Sequence, residues 1–212
     1  MNDTAILDLI LLVPGKDERE TFDELLVSRS ASLRIRPVRY QILVHPRRDP
    51  GCFHEGPDVL QPYCNRARYA LIVLDHEGSG QEDRAPDEVA ADLKERMEQN
   101  GWPRRAEVLV LQPELENWVW SDSRHVDEVT GWAGREPPLR QWIRDQGWWP
   151  AQLPKPSRPK EAFEAALRHV RTRRSAALYR QLAERVSLER CRDEEFQRFK
   201  KIMQTWFPCE GS

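Results

Sequence analysis

The apolar residues in the first 121 positions fall into four short runs that are separated by longer amphipathic stretches. The runs cover residues 6–13, 37–44, 69–74 and 107–111. The third run is apolar throughout, which is typical of a central parallel strand covered on both faces. The second alternates apolar and polar residues, which indicates a strand with one more exposed face. We therefore predict four β-strands.

The stretches between these runs carry apolar residues at helical spacing. The clearest covers residues 86–100, with Pro86 at its first position and Gly101 just past its end. Further helices are predicted over residues 17–28, 57–65 and 114–120, and a polar connecting loop over residues 45–56. Strands that alternate with helices are joined by crossovers. The pattern therefore predicts an α/β fold with a mostly parallel four-stranded sheet flanked by helices on both faces.

Strand patterns stop after residue 121. Single apolar stripes predict helices over residues 139–146, 160–170, 175–186 and 194–206. We therefore divide the chain into an α/β domain over residues 1–121 and an all-helical extension packed on it over residues 122–212. Seven of the eight tryptophans lie between Trp102 and Trp149. They are expected to fill the seam between the two parts, and a base-stacking surface is the alternative.

The overall composition is that of a polar globular protein. The chain has 212 residues, of which 32% are charged and 39% are hydrophobic. No stretch approaches the roughly 20 apolar residues of a membrane span, and no secretion signal is recognisable. The four cysteines form no C-x-x-C pair, which indicates reduced thiols and no zinc ribbon. These observations predict a cytoplasmic protein without a membrane partner.

The net charge of −2 hides an asymmetry along the chain. Residues 1–150 hold 19 basic and 27 acidic side chains, whereas residues 151–212 hold 14 basic and 8 acidic ones. A basic segment beside an acidic domain can bind a polyanion or an acidic partner, and it can equally pack against its own acidic part. The sequence leaves both alternatives open.

Two pairs of acids follow predicted parallel strands. Asp75 and Glu77 follow the third strand, and Glu114 and Glu116 follow the fourth. If these strands are neighbours, four carboxylates meet at one sheet edge, where crowding is unfavourable unless a cation neutralises them or some are protonated. Oxygen ligands suit Mg²⁺ or Mn²⁺, and we predict Asp75, Glu77 and Glu116 as the ligands of such a cation.

Each acidic pair also has a plainer interpretation. Asp75 and Glu77 are equally typical of a solvated turn, since short acidic motifs are common. Glu114 and Glu116 lie in the first turn of a predicted helix, where the helix dipole favours acids. Because they are two positions apart on that helix, they would point in different directions, and we expect only one of them to face the site.

Several basic residues are candidates for binding phosphate. They are Arg47, Arg48, Lys155, Lys160 and Arg174. The first two belong to residues 45–56, where charged and histidine side chains are denser than a plain connector requires. Arginine and lysine are suited to phosphate oxygens because they form charge-assisted hydrogen bonds. A solvated surface charge is the alternative for each of the five.

Three motifs resemble those of the Toprim fold. Residues 13–26, VPGKDERETFDELL, resemble the turn and helix that open a Toprim domain, and residues 71–80, LIVLDHEGSG, resemble its Asp-x-Asp motif. Residues 113–120, PELENWVW, are similar to the E-x-E-x-W element of the Toprim-like proteins grouped as DUF4276. Over nearly its full length the chain resembles the small Toprim-like component of bacterial methylation-associated defence systems. The segments that carry this likeness are HPRRDPGCFHEG, LDHEGSG, PELENWVWSD, LPKPSRPKEA, RRSAALY and the terminal WFP.

The resemblance implies a Toprim-like domain that carries out a metal-dependent phosphodiester reaction on nucleic acid in antiviral defence. Asp75, Glu77, Glu114 and Glu116 are then the expected catalytic acids. Other defence-system proteins and DNA are the expected partners, and Mg²⁺ or Mn²⁺ is the expected cofactor.

One position departs from the Toprim pattern. Pro14 stands where Toprim nucleases usually have a glutamate just before the glycine of the first motif. Asp17 and Glu18 lie a turn away and are the available substitutes. The alternative is a catalytically inactive Toprim-like module that binds a partner protein or nucleic acid, since a fold does not by itself imply an activity.

Overall fold

The computed structural model describes residues 6–209. Its four strands are β1 (Leu7–Val13), β2 (Tyr40–Val44), β3 (Ala67–Asp75) and β4 (Ala106–Leu111). They form one sheet in which all neighbours are parallel and the order is β2-β1-β3-β4. The predicted α/β fold with a parallel sheet is thereby confirmed. Because Asp75 in β3 pairs with Leu111 in β4, the carboxyl ends of these strands lie side by side.

Helices connect the strands and form the last third of the chain. They are α1 (Lys16–Val27), α2 (Ser30–Leu33), α3 (Arg48–Leu60), α4 (Pro86–Gln99), α5 (His125–Thr130), α6 (Leu139–Asp145), α7 (Pro159–Val170), α8 (Ala176–Arg185) and α9 (Glu194–Trp206). Short 3₁₀ turns occur at Gln61–Tyr63 and Leu115–Trp118. In residues 6–209, none of these helices combines the length and the apolar character that crossing a bilayer requires.

The two faces of the sheet pack against different helices, because successive side chains of a strand point to opposite sides. In β3, Ile72 and Leu74 belong to a hydrophobic cluster with α3 and α4. Leu71 and Val73 belong to a second cluster that includes α1 and the C-terminal helices. The helical extension therefore shares its core with one face of the sheet, and the predicted boundary at residue 121 lies inside one continuous core.

Six of the seven tryptophans between Trp102 and Trp149 contribute to that shared core, as expected for side chains that fill the seam. They are Trp118, Trp120, Trp132, Trp142, Trp148 and Trp149. Trp102 is the exception, since it is buried on the opposite face of the sheet, beneath the guanidinium of Arg105.

The polar segment predicted as a loop over residues 45–56 is in fact mostly helical, since α3 begins at Arg48. Pro50 lies in its first turn, where the backbone N–H needs no helical partner. Pro57 lies inside the helix and leaves the carbonyl of Phe53 without its usual donor. Arg96 of α4 supplies the missing bonds, donating to the carbonyl oxygens of Phe53 at 2.8 Å and His54 at 2.7 Å. The prediction of a helix only over residues 57–65 was therefore wrong. The helix continues through Pro57 because the side chain of Arg96 donates to the Phe53 carbonyl.

The contact of Arg96 with α3 predicts a stability effect that depends on Pro57. Arg96→Met should destabilise the fold by about 1 kcal/mol, because the partly buried carbonyl of Phe53 loses its donor. In a Pro57→Ala background the cost should be smaller, since alanine provides the N–H for the Phe53 carbonyl. Urea unfolding of the two single variants and the double variant measures both terms. Equal costs of Arg96→Met in the two backgrounds would contradict this account of α3.

Candidate metal centre

Three acidic side chains meet where β3 and β4 end. Asp75 is the last residue of β3, and Glu114 and Glu116 follow β4. One carboxylate oxygen from each lies within 4.8 Å of the others, and all three side chains belong to buried residues. We call this group the acidic trio. The two strands are neighbours, which was the condition for the predicted acids to meet, and the trio is its consequence.

Both glutamates face the same point, against the expectation that only one would. Glu114 is extended, with φ −163° and ψ 171°, and it precedes the 3₁₀ turn instead of lying on an α-helix. The helical geometry that would separate residues two positions apart therefore does not apply. Leu115, between them, is buried in the hydrophobic core and anchors the turn.

Each carboxylate of the trio is held through one of its two oxygens. Asp75 Oδ1 accepts from the backbone N–H of Leu115 at 3.0 Å, and Glu114 Oε1 accepts from the backbone N–H of Lys160 at 2.8 Å. Glu116 Oε1 accepts from the hydroxyl of Tyr179 at 2.5 Å and from Arg174 at 2.9 Å.

The other oxygen of each trio carboxylate accepts no hydrogen bond from the residues that the structure describes. The closest polar contact is an ion pair of 3.6 Å between Glu114 Oε2 and the ammonium of Lys160. Fixing one oxygen while leaving the second available is how outer partners orient metal-binding carboxylates. Three buried carboxylates oriented in this way could hold a metal ion, and oxygen donors suit a hard divalent cation.

Asp75 of the trio lines a cleft of about 500 Å³, here called the acidic cleft. It is lined by residues 14–18 at the start of α1, by Val44, His45 and Pro46 after β2, and by Arg48, Asp49, Asp75, Lys160 and Arg174. Asp49 reaches the trio directly, because its Oδ1 accepts from the backbone N–H of Asp75 at 2.8 Å. Glu18 is buried against the same cleft.

The crowded acids have raised pKa values. Burial, followed by the charges of Glu18 and Asp49, raises the pKa of Asp75 well above its usual range. Burial, followed by the charge of Glu116, raises the pKa of Glu114 to about 7. Burial is also the main cause that raises the pKa of Glu18 to about 7. The cluster therefore holds protons near neutral pH when no cation is bound.

These shifts predict how stability changes with pH in the absence of metal. The folded-state pKa of Glu114 is raised from 4.5 to about 7, so the folded state binds the extra proton and stability falls as pH rises through that interval. Glu114→Gln keeps an oxygen acceptor for Lys160 and removes the titration. Over that interval, the stability of wild type should fall with pH more steeply than that of Glu114→Gln, by up to about 1.4 kcal/mol per pH unit. Urea unfolding in EDTA at pH 5 and pH 8 measures this difference, with Glu98→Gln, which changes an exposed acid on α4, as the control. An identical pH dependence of Glu114→Gln and wild type would contradict the assignment.

Glu77, a predicted ligand, lies outside the trio. β3 ends at Asp75 and the chain turns at once, so that the Glu77 backbone N–H donates to the carbonyl of Pro113 at 2.9 Å and the residue is exposed. Its charge still acts on Glu114 and contributes to the raised pKa of that residue. The structure thus brings together three of the four predicted acids.

The five predicted phosphate-binding residues fall into three groups. Lys160 and Arg174 line the acidic cleft and contact its acids, since Arg174 also pairs with Asp17 at 2.7 Å. Arg48 lines the cleft without an ion pair among the described residues. The remaining two are engaged elsewhere: Arg47 with Glu55, and Lys155 with Asp193 at 2.6 Å.

The asymmetry of charge along the chain is largely internal. Arg174 bonds to Asp17 of α1. Arg180 of α8 bonds to three further acids of α1, which are Glu20, Asp23 and Glu24. The basic C-terminal part therefore packs against the acidic N-terminal part, which was one of the two alternatives.

Two residues of the centre carried no separate signal in the sequence. Asp49 belongs to the segment predicted as a loop, so its position beside Asp75 was not foreseen. Tyr179 lies on the buried stripe of α8, where it is indistinguishable from an ordinary core residue. Comparisons of the chain with family models, curated proteins and solved structures gave no match in any of the three.

Proposed function

We propose that the protein is a metal-dependent phosphodiesterase that acts on nucleic acid, with Mg²⁺ or Mn²⁺ held by Asp75, Glu114 and Glu116. The observation that carries the proposal is the set of three buried carboxylates, each fixed through one oxygen and open at the other. A bound cation would supply Lewis-acid stabilisation of a phosphate oxygen and a lower pKa for a coordinated water.

Glu18 is the proposed proton carrier of the acidic cleft. It is buried, it lines the same cleft as Asp75, and its pKa is raised to about 7. A carboxyl group with a pKa near the working pH can both accept and donate a proton. Glu18 lies four residues beyond Pro14 and would take the role that the glutamate before the first-motif glycine has in Toprim nucleases.

The resemblance to Toprim-like defence components supports the cellular setting of the proposal. We propose a cytoplasmic protein that acts with other proteins of a methylation-associated defence system, and DNA as its substrate. The strands of the sheet end at the trio, which agrees with the position of ligand sites in open α/β sheets.

A second candidate function is that of a catalytically inactive module. The specific observation in its favour is that the acids already have partners of their own: Arg174 at Glu116, Lys160 at Glu114. With protonation of the remaining carboxyls, such a cluster is tolerable without a cation. The module would bind a partner protein or nucleic acid through the acidic cleft.

Two measurements on the same variants separate the candidates. Isothermal titration with Mg²⁺ and Mn²⁺ tests the centre, and cleavage of end-labelled single-stranded and double-stranded DNA tests the chemistry. The phosphodiesterase should bind metal and cleave, Glu18→Gln should bind metal and lose cleavage, and Glu77→Gln should retain both. Metal binding without cleavage by wild type would favour the module. No binding at millimolar metal would remove the proposed centre altogether.

A further inference from the structure

The cations that line the acidic cleft differ in whether they have partners. Arg174 is engaged with Asp17, Glu116, Glu164 and the hydroxyl of Tyr179. Lys160 is 3.6 Å from Glu114. Lys16 and Arg48 also line the cleft, yet neither side chain makes a hydrogen bond or an ion pair within residues 6–209.

Lys16 and Arg48 come from different elements that meet at this cleft. Lys16 is the first residue of α1 and Arg48 is the first residue of α3, and both are exposed. The charge of Arg48 lowers the pKa values of Asp17 and Asp49 against the larger effect of their burial, so its guanidinium is within electrostatic reach of the acids. Two cations without side-chain partners among the described residues therefore line the same cleft as the buried acids Glu18 and Asp75.

The backbone of Arg48 is held in a tight turn. Its φ is 52°, in the left-handed region, and its N–H donates to the carbonyl of His45 at 3.1 Å. Gly51 packs tightly on His45 and holds this turn, since a Cβ on Gly51 would lie 2.0 Å from His45 Nδ1. The turn therefore presents the Arg48 side chain at a defined place on the cleft.

We infer that Lys16 and Arg48 are the phosphate-binding pair of the acidic cleft, and that Lys155, Lys160, Arg174 and Arg47 are not. The inference rests on the proposed function for the class of ligand, a phosphate group of a nucleic-acid strand or of a nucleotide. Arg48 can bond two phosphate oxygens with its planar guanidinium, and Lys16 adds a compact positive charge. The other four would first have to leave the carboxylates that they contact.

The test uses variants that remove charge without threatening the fold. Arg48→Gly suits the left-handed backbone at this position, Arg48→Lys retains the charge, and Lys16→Gln removes a cation from a helix N-terminus, where the dipole does not favour it. Matched controls are Arg47→Gln, which changes the neighbouring residue, and Arg19→Gln, which changes an exposed residue of α1 outside the cleft lining.

Binding of a fluorescein-labelled single-stranded oligonucleotide is followed by anisotropy over a salt series, in EDTA and in Mg²⁺. Arg48→Gly and Lys16→Gln should each weaken binding by about tenfold, and each should reduce the slope of log K against log salt by about 0.7. Arg48→Lys should recover part of the affinity, and both controls should match wild type. Equal affinities and slopes for wild type and the two cleft variants, or no binding by wild type, would overturn the inference.

Competition distinguishes the two sources of phosphate. Displacement of the oligonucleotide by a mononucleotide at equal phosphate concentration assigns the pair to a terminal phosphate, and failure to displace it assigns the pair to a phosphodiester within a strand. Titration with Mg²⁺ alone keeps the inference separate from the proposed function. Loss of oligonucleotide binding in the variants together with no Mg²⁺ binding by wild type would support the phosphate pair and remove the metal centre.

Discussion

Replacing Asp75 by asparagine is expected to abolish binding of Mg²⁺ at millimolar concentrations and, without metal, to stabilise the fold. Asparagine keeps an oxygen that can accept from the N–H of Leu115, and it removes a buried charge whose pKa is raised well above its usual range. A raised carboxyl pKa lowers the stability of the folded state at pH 8, which is above the unfolded-state pKa, so we expect Asp75→Asn to be more stable than wild type at that pH. The two effects have opposite signs, which a merely disruptive substitution would not produce.

Thermal unfolding at pH 8 with EDTA and with Mg²⁺ measures both effects in one experiment. Wild type should be stabilised by Mg²⁺ through mass action, and Asp75→Asn should not respond. Glu77→Gln is the matched control, because Glu77 is a nearby acid that the structure places outside the trio. An Asp75→Asn variant that still responds to Mg²⁺ would remove Asp75 from the ligand set, and one that is less stable than wild type in EDTA would contradict the cost assigned to its charge.

Arg174→Met is expected to destabilise the protein by about 2 kcal/mol, because the Glu116 carboxylate is buried while the arginine side chain is 34% exposed, which makes the cost smaller than for a fully buried pair. Arg174 connects four elements, since it contacts Asp17 of α1, Glu116 after β4, Glu164 of α7 and Tyr179 of α8. Its loss leaves the buried Glu116 with only the hydroxyl of Tyr179. Most of the cost should therefore disappear when Glu116 is neutral as well.

A double-mutant cycle with Glu116→Gln measures that coupling by urea unfolding. We expect Arg174→Met to cost at least about 1.5 kcal/mol less in the Glu116→Gln background, in line with the coupling energies of contacting residues. Arg168→Met is the control, because Arg168 pairs with Glu164 on the surface, where a pair contributes about 1 kcal/mol or less. Strictly additive costs of the two substitutions would show that Arg174 acts through its other contacts.

The sheet was predictable because its strands carry their own signal. The run in β3 is continuously apolar because both faces of the strand are buried. α4 has apolar residues at helical spacing because only one of its faces is buried. The position of Asp75 and Glu114 at the carboxyl ends of two strands then follows from the parallel topology, whereas the order that makes β3 and β4 neighbours was left open. What the periodicity could not give was local geometry: the turn after Asp75 places Glu77 in solvent, and the 3₁₀ turn after Glu114 brings Glu116 to the same point.

The remaining errors come from contacts between residues far apart in the chain. α3 was predicted to begin at Pro57 because residues 45–56 are polar and rich in proline and glycine, whereas the helix runs through Pro57 with a donor from Arg96, 39 positions later. Tyr179 has the sequence signature of a core residue, and its contact with Glu116 depends on how α8 packs on α1. Contacts between residues so far apart leave no periodic pattern in the sequence, so they cannot be predicted from one sequence alone.

The partners that hold the acidic trio in place come late in the chain. Lys160, Arg174 and Tyr179 all lie in the helical extension, whereas Asp75, Glu114 and Glu116 precede it. When the whole sheet has left the ribosome, the three carboxylates have been synthesised, but the residues that orient Glu114 and Glu116 have not. A product that stops before α7 would lack all three of these partners, so assembly of this centre is tied to synthesis of the helical extension.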